Sequence, residues 1–521
     1  MKRLLQGFLI GILLTTLVGT SFADTVLEKI EVAKNKVNIE LNGNKIASAN
    51  NNYTLSNGEE VPYSMIYNGT TYLPIRKVAE IVGKYAGWDG DTNTVILDDN
   101  PIQDKEDEMD EGSKKELRGT IDFWHFYEEE AIEMADAFME EYPNTEINVS
   151  IYNNDDFKYE SKVLTASKNR TLPDIITAER SFVRDFVEIN GLYEDLSQFK
   201  DFDEVADNIV PYTIEVGTDK NGAVKALSYQ ALIGAVGYKR DIAKKYLGTD
   251  DPAVITEMLK PENMLDTAKE LKEKSAGRAK LWASLEALYK IYLGSRENSW
   301  VENGKFTFDS KMDEFLDLAK ELRDEEQDGE LPQWEGAWLE SIQDDIHMCY
   351  AIPNWGINWI IDFNESDEYR IMNNGGTGKG GRWGLATPMP YFEGGTWYGI
   401  GEGSENKELA WEFIKFITNN DDFSRELAEH DLVSNVSVFE EKKADNNFVN
   451  PVVDQNIYEV YGDIVNDING ELITSYDTDF RYGFLDNMNL YLDGEITKEE
   501  CIKNFIEEMK LELGDEIDFD S

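Results

Sequence analysis

Between residues 119 and 179 the apolar residues switch repeatedly between two spacings, and this alternation restricts the fold more than any other feature. Ile121 and Phe123 share one face of an extended run, Thr120 to Trp124. Ala131, Ile132, Ala135, Phe138, Met139 and Tyr142 then recur at helical spacing until Pro143-Asn144. Ile147, Val149 and Ile151 alternate with polar residues as a second strand. A second helix is predicted over 156–168, and Pro173 to Thr177 reads as a third strand. Strand–helix–strand–helix–strand with such short links requires right-handed crossovers and a largely parallel sheet. Ligands of such sheets bind beyond the C-terminal strand ends, where Trp124-His125 and Ala178-Glu179 fall.

A chain of 521 residues exceeds one core, and at roughly 150 residues per domain it divides into about three units. Apolar residues at 41% supply those cores despite a net charge of −53. That charge repels phosphate backbones and anionic lipid, which argues against nucleic-acid binding and polybasic membrane anchoring. Lys2-Arg3, an apolar run from Leu4 to Val18 and Ser21-Phe22-Ala23 read as a signal peptide over 1–23, so the mature chain is expected to be exported. No cysteine stands near the cleavage site to carry a lipid anchor. Cys349 and Cys501 are the only cysteines, which excludes a disulfide framework and leaves either one pair or two buried thiols.

Residues 24–99 form a separate unit. Val37, Ile39 and Leu41 alternate as a strand, Asn42-Gly43 is a hairpin-type turn, and a helix from about Pro74 to Val82 is stopped by Gly83. A hairpin from Trp88 to Leu97 turns at Asp89 to Asn93, and that turn lacks the Gly and distal Glu of a calcium loop. The stretch Thr71 to Leu97 resembles the small α+β stalk domain named for the N-terminal domain of copper amine oxidase. The segment holds no His and no Cys, so a copper site lacks its usual ligands. Residues 100–117 are almost all polar and read as an acidic flexible linker.

From 118 onward, several motifs in order resemble the sugar-type (family 1) extracellular solute-binding proteins of ABC importers. They are Ile121 to Trp124, Leu172-Pro173-Asp174-Ile175, Gly191-Leu192-Tyr193-Glu194-Asp195-Leu196, Ala226 to Tyr238, Met348 to Trp355, Trp383 to Pro390, Ser404 to Ile417 and Gly494 to Ile502. In Ser404 to Ile417, Ser404 is a good N-cap and Leu409, Ala410, Phe413, Ile414 and Ile417 form one apolar face. The resemblance implies a two-lobed periplasmic-binding-protein-like α/β fold of type II over 118–521. About three crossings would join the lobes, which close on a ligand by hinge motion. The first lobe is expected at about 118–227 and 391–430, and the second at about 228–390 and 431–521.

Sugars present flat C–H faces and outward hydroxyls, so their sites need aromatic platforms beside hydrogen-bonding side chains. Strand-end and loop positions offering that mixture are Trp124, His125, Glu179, Tyr229, Gln230, Trp282, Asn354, Trp355, Trp397, Tyr398, Phe480 and Arg481. By resemblance, Trp355 and the region near Phe480 match places where the family stacks aromatics on sugars. Trp334, Trp338, Trp383 and Trp411 are assigned to the core or to helix faces. Three scattered histidines argue against a His triad or a His-rich metal centre. The run Asn373 to Gly381 fails as a phosphate loop, because no Gly stands five before Gly378 and Gly380 follows Lys379; it reads as a flexible loop.

The expectation is a secreted, monomeric, non-enzymatic receptor, without cofactor or metal, that captures an oligosaccharide and delivers it to ABC permease subunits. The stalk would hold it at the cell wall or above the membrane. Peptides or organic anions as ligands, a polysaccharide-acting enzyme and a wall-adhesion protein are the competing readings.

Overall fold

The computed structural model describes residues 117–154, 157–364 and 381–519, together with scattered short stretches between 33 and 98. The signal peptide, the linker apart from Leu117, the helix from Pro74 to Val82 apart from Val78, the turn at 90–93 and the run Asn373 to Gly380 lie outside the described residues. The chain separates into two compact units, 1–114 and 115–521.

In the first unit, Ile39–Leu41 pairs antiparallel with Asn44–Ala47, the arrangement that Asn42-Gly43 predicts. Tyr85–Asp89 pairs antiparallel with Thr94–Asp98, Trp88 opposite Val95.

The second unit carries two four-stranded sheets. In chain order the elements that build them are β1 (Gly119–His125), α1 (Glu128–Glu141), β2 (Thr145–Ile151), α2 (Lys158–Asn169), β3 (Ile175–Glu179) and α3 (Pro211–Val216). Next come β4 (Gly234–Lys239), β5 (Lys280–Trp282), α4 (Leu285–Gly294), β6 (His347–Pro353), β7 (Trp383–Ala386), β8 (Thr396–Ile400) and α5 (Lys407–Asn419). α6 (Asp477–Leu492) and α7 (Lys498–Leu513) close the chain.

The first sheet runs β2-β1-β3-β8. β1 pairs in parallel with β2 and β3, and β8 returns antiparallel beside β3. The alternation in β1 buries Ile121 and Phe123 at 0% exposure against α1 and α5, the packing that its spacing predicts. Ile132 departs from the expected helix face: it is exposed, and Ala131, Met134, Ala135 and Phe138 carry the contact instead.

The second sheet runs β5-β6-β4-β7, with β4 antiparallel to both neighbours. β4, β6 and β7 are buried at every residue, so they read as continuous apolar runs with no alternation. α4 packs on this sheet, α6 and α7 pack on each other within the same core, and Cys349 and Cys501 lie in that core, both buried and both free thiols.

The helix at Ser404 begins two residues later than its capping pattern suggests. Asn406 is the N-cap of α5, because Ser404 has other partners. Its Oγ donates to Asp174 Oδ1 and accepts the Asn406 N–H at 3.0 Å. Asp174 Oδ2 also accepts the Asp122 N–H at 2.9 Å. Two of the sequence motifs therefore meet at one carboxylate, which locks β1 to the entry of α5.

Three segments connect the sheets and lie side by side. Residues 227–234 are central, with 391–398 on one side and 431–434 on the other. Leu227 and Tyr398 exchange backbone hydrogen bonds at 3.1 and 2.8 Å, Gly234 N–H donates to Tyr391 O at 2.9 Å, and Ala231 N–H donates to Leu432 O at 2.9 Å.

Candidate functional site

The two sheets face each other across a cavity of about 260 Å3. β3 supplies Glu179 from its C-terminal end, followed by Arg180 and Ser181. From the opposite side come Tyr289 and Lys290 of α4, Arg296 just beyond it, and Asp477 and Arg481 of α6. The second crossing segment in chain order, 391–398, contributes Phe392, Glu393 and Gly394, and Trp355 follows β6. A second cavity, about 950 Å3, adjoins the first and shares Asn469 and Leu472 with it. Contact between α3 and residues 470–472 stands between them, closed by Gly470 N–H donating to Glu215 Oε2 at 2.7 Å.

Among the described residues, Trp355 is the one tryptophan that lines the first cavity. Its indole N–H donates to Glu393 O at 3.1 Å, and its ring lies 5.4 Å from Trp334 at 31°. Both partners fix the ring and leave it partly exposed. Gly394 makes the approach possible: it has φ +95°, and a Cβ there would meet Trp355 Nε1 at 3.0 Å. Glu179 Oε2 accepts the Ser181 N–H at 3.0 Å and the Ser181 hydroxyl, which turns the carboxylate back on its own loop. Lys290 binds Glu393, and Arg481 Nη2 donates to Glu286 Oε1 at 3.1 Å.

Of the twelve residues singled out from sequence, Glu179, Trp355 and Arg481 line this cavity. Gln230 and Asn354 sit one layer behind, where both amides donate to Asp431, Gln230 at 2.7 Å. Asp431 Oδ1 also accepts the Leu432 N–H at 2.8 Å. This carboxylate joins the first crossing, the end of β6 and the third crossing, and burial pushes it up to about 6 against the pull of these donors.

The other seven do not line the cavity. His125 is fully buried, and its Nδ1 accepts the Tyr127 N–H at 2.8 Å. The ring proton therefore lies on Nε2, which faces Tyr398 Oη and Glu130 Oε1, each at 3.3 Å. Tyr398 and Tyr229 pack beside it in the core of the first lobe. Trp397 donates to Thr213 O at 2.8 Å with 1% of its surface exposed. Trp282 donates to Met264 Sδ at 3.3 Å, and Phe480 stacks on Trp300 and Phe306. Trp124 is half-buried against Tyr152, under the Lys162 ammonium. Trp338, Trp383 and Trp411 are buried as expected, whereas Trp334 stands against Trp355. Sequence reasoning missed Arg180, Tyr289, Lys290, Arg296, Glu393 and Asp477. Among the described residues no group of His, Cys, Asp or Glu is placed to hold a metal ion, and no helix is long and apolar enough to cross a membrane.

The profile of bacterial extracellular solute-binding proteins matches residues 133–437, and that of the copper amine oxidase N-terminal domain matches 22–97. No curated protein matches the chain. Among solved structures, an extracellular solute-binding protein of family 1 superposes with a TM-score of 0.65 at 16% identity, covering 75% of this chain and 99% of its own. The GacH receptor of Streptomyces glaucescens, solved unliganded and with acarbose, gives a TM-score of 0.55 at 18% identity over 77% and 100% of the two chains. The galacto-N-biose/lacto-N-biose I-binding protein of an ABC transporter from Bifidobacterium longum gives 0.56 at 14% identity over 78% and 100%.

Proposed function

This chain belongs to the family of bacterial extracellular solute-binding proteins, and we propose that it captures a carbohydrate of oligosaccharide size between its lobes. It is a binding protein and not an enzyme. The observation that carries the carbohydrate reading is Trp355, an indole fixed by Glu393 at the wall of an inter-lobe cavity where eleven of the other seventeen lining residues are polar or charged. That pairing of a platform with hydrogen-bonding groups suits a pyranose ring. The adjoining second cavity gives room for further sugar units.

The proposed mechanism is rotation of the lobes about the three crossing segments, which closes the cavity on its ligand. The closed form then docks on an ABC permease through the outer rims of both lobes, and the N-terminal unit acts as a spacer at the cell surface.

A thermal-shift screen over oligosaccharides tests the reading, since a ligand that binds only the native chain raises its melting temperature. At least one glycan is expected to shift the transition and to quench tryptophan fluorescence. Trp355→Ala is expected to weaken that glycan by about tenfold or more, from loss of ring stacking. A flat response across the glycan panel overturns the carbohydrate assignment.

A further inference from the structure

Resting on the carbohydrate reading above, we propose that the ligand is an acidic sugar whose carboxylate docks among Arg296, Arg481 and Arg180, around the Tyr289 hydroxyl. On a chain of net charge −53, the first cavity is lined by four cationic side chains and three carboxylates. Two of the carboxylates are already committed: Glu179 to Ser181, and Glu393 to Lys290 through one oxygen. Asp477 Oδ1 accepts from Thr474 N and Oγ1, and its Oδ2 stands 3.9 Å from Arg296.

The cations are less well matched. Arg296 is only 5% exposed. Its Nε donates to Leu293 O at 2.9 Å and its Nη2 to Leu472 O at 3.3 Å, but its Nη1 is buried without a partner. The Nε of Arg481 is likewise buried and unpartnered, as is the hydroxyl of the fully buried Tyr289. Arg180 lies 5.8 Å over the Phe392 ring, with no hydrogen bond or ion pair to its guanidinium among the described residues. The three arginines line one cavity around Tyr289: burial and the Asp477 carboxylate push its phenol up, while the fields of Arg296, Arg481 and Arg180 pull it down.

Donors left unpaired in a protein interior are costly, and neighbouring guanidiniums repel. A neutral hydroxyl could accept one of these N–H groups but would leave the repulsion standing. A carboxylate accepts from several donors at once and cancels charge, the match that guanidinium geometry favours. The cavity also holds a buried, unpartnered acceptor, Glu393 Oε2, which a sugar hydroxyl satisfies and a simple organic acid does not. The adjoining cavity has the opposite sign: six carboxylates, Glu215, Glu297 and Glu471 among them, against Arg184 and Lys220. It disfavours a second negative charge, so the geometry fits one uronate at one end of an otherwise neutral chain.

The test is isothermal titration of the full-length chain at low salt with disaccharides ending in glucuronate, galacturonate or mannuronate. Each is compared with its methyl ester, and succinate serves as the free-acid probe. One acid is expected to bind about tenfold or more tightly than its ester, since a charge-assisted hydrogen bond is about twice as strong as a neutral one. That ratio is expected to fall toward one with added salt and in Arg180→Gln and Arg481→Gln. Both variants spare the carbonyl bonds of Arg296, and their unliganded melting curves check folding. Equal binding of acid and ester overturns the acidic-sugar inference and leaves carbohydrate capture standing. Succinate binding with no sugar bound overturns the carbohydrate reading. Absence of binding by every acid and ester overturns the acidic-sugar inference alone, and carbohydrate capture is then decided by the glycan panel above.

Discussion

Asp431 is one carboxylate that ties together segments crossing between the two sheets. Burial holds it at about 6, above its ordinary value of about 3.9, so the native chain binds its proton more readily than the unfolded chain does. The stability linked to this proton is fully present below about pH 4 and is lost as pH rises through about 6. Melting temperatures of the chain and of Asp431→Asn, taken between pH 4 and 7, should therefore diverge: the wild type loses a component across that window that the variant lacks. Gln230 and Asn354, which donate to this carboxylate, were legible as polar residues at a crossover and a strand end. Their common partner was not, because Asp431 is distant in sequence from both. The same blindness explains Arg296. It follows a helix whose apolar pattern speaks only of packing, and nothing local says which turn meets a cleft. Trp282, Trp397 and Phe480 were chosen for the opposite reason: a ring at a strand or helix end looks available until the layer covering it is known.

At the scale of elements, the alternation that opens the second unit was legible to within a residue or two, because helix and strand periods differ sharply. The second sheet was harder to read. β4, β6 and β7 have no polar face, and an apolar run gives no register. The start of α5 shows a cap overridden by tertiary structure, since Ser404 is taken by Asp174 from a different motif. The crossing ribbon depends on Gly234, where a Cβ would lie 2.1 Å from the Tyr391 ring. Tyr391 in turn donates to Ala235 O at 3.0 Å, so it cannot swing away without loss. Gly234→Ala is expected to lower the unfolding free energy by about 1–3 kcal/mol, the range for overpacked cores, as read from denaturant midpoints.

At the scale of the whole molecule, lobe movement is open to direct observation because of how the cysteines are placed. Cys349 and Cys501 are 0% and 1% exposed. Burial pushes the Cys501 thiol up to about 11 and the Cys349 thiol higher still, so neither presents a thiolate near neutral pH. The chain is thus silent toward maleimide dyes as it stands. Cysteines introduced at the exposed positions Lys220 and Asn303, on opposite walls of the second cavity, would take donor and acceptor dyes without background. Energy transfer between them is expected to rise when a saturating glycan is added, and transfer that stays constant would count against a moving hinge. A chain with no reactive sulfur of its own is, in effect, a ready-made optical sensor for whatever solute it captures.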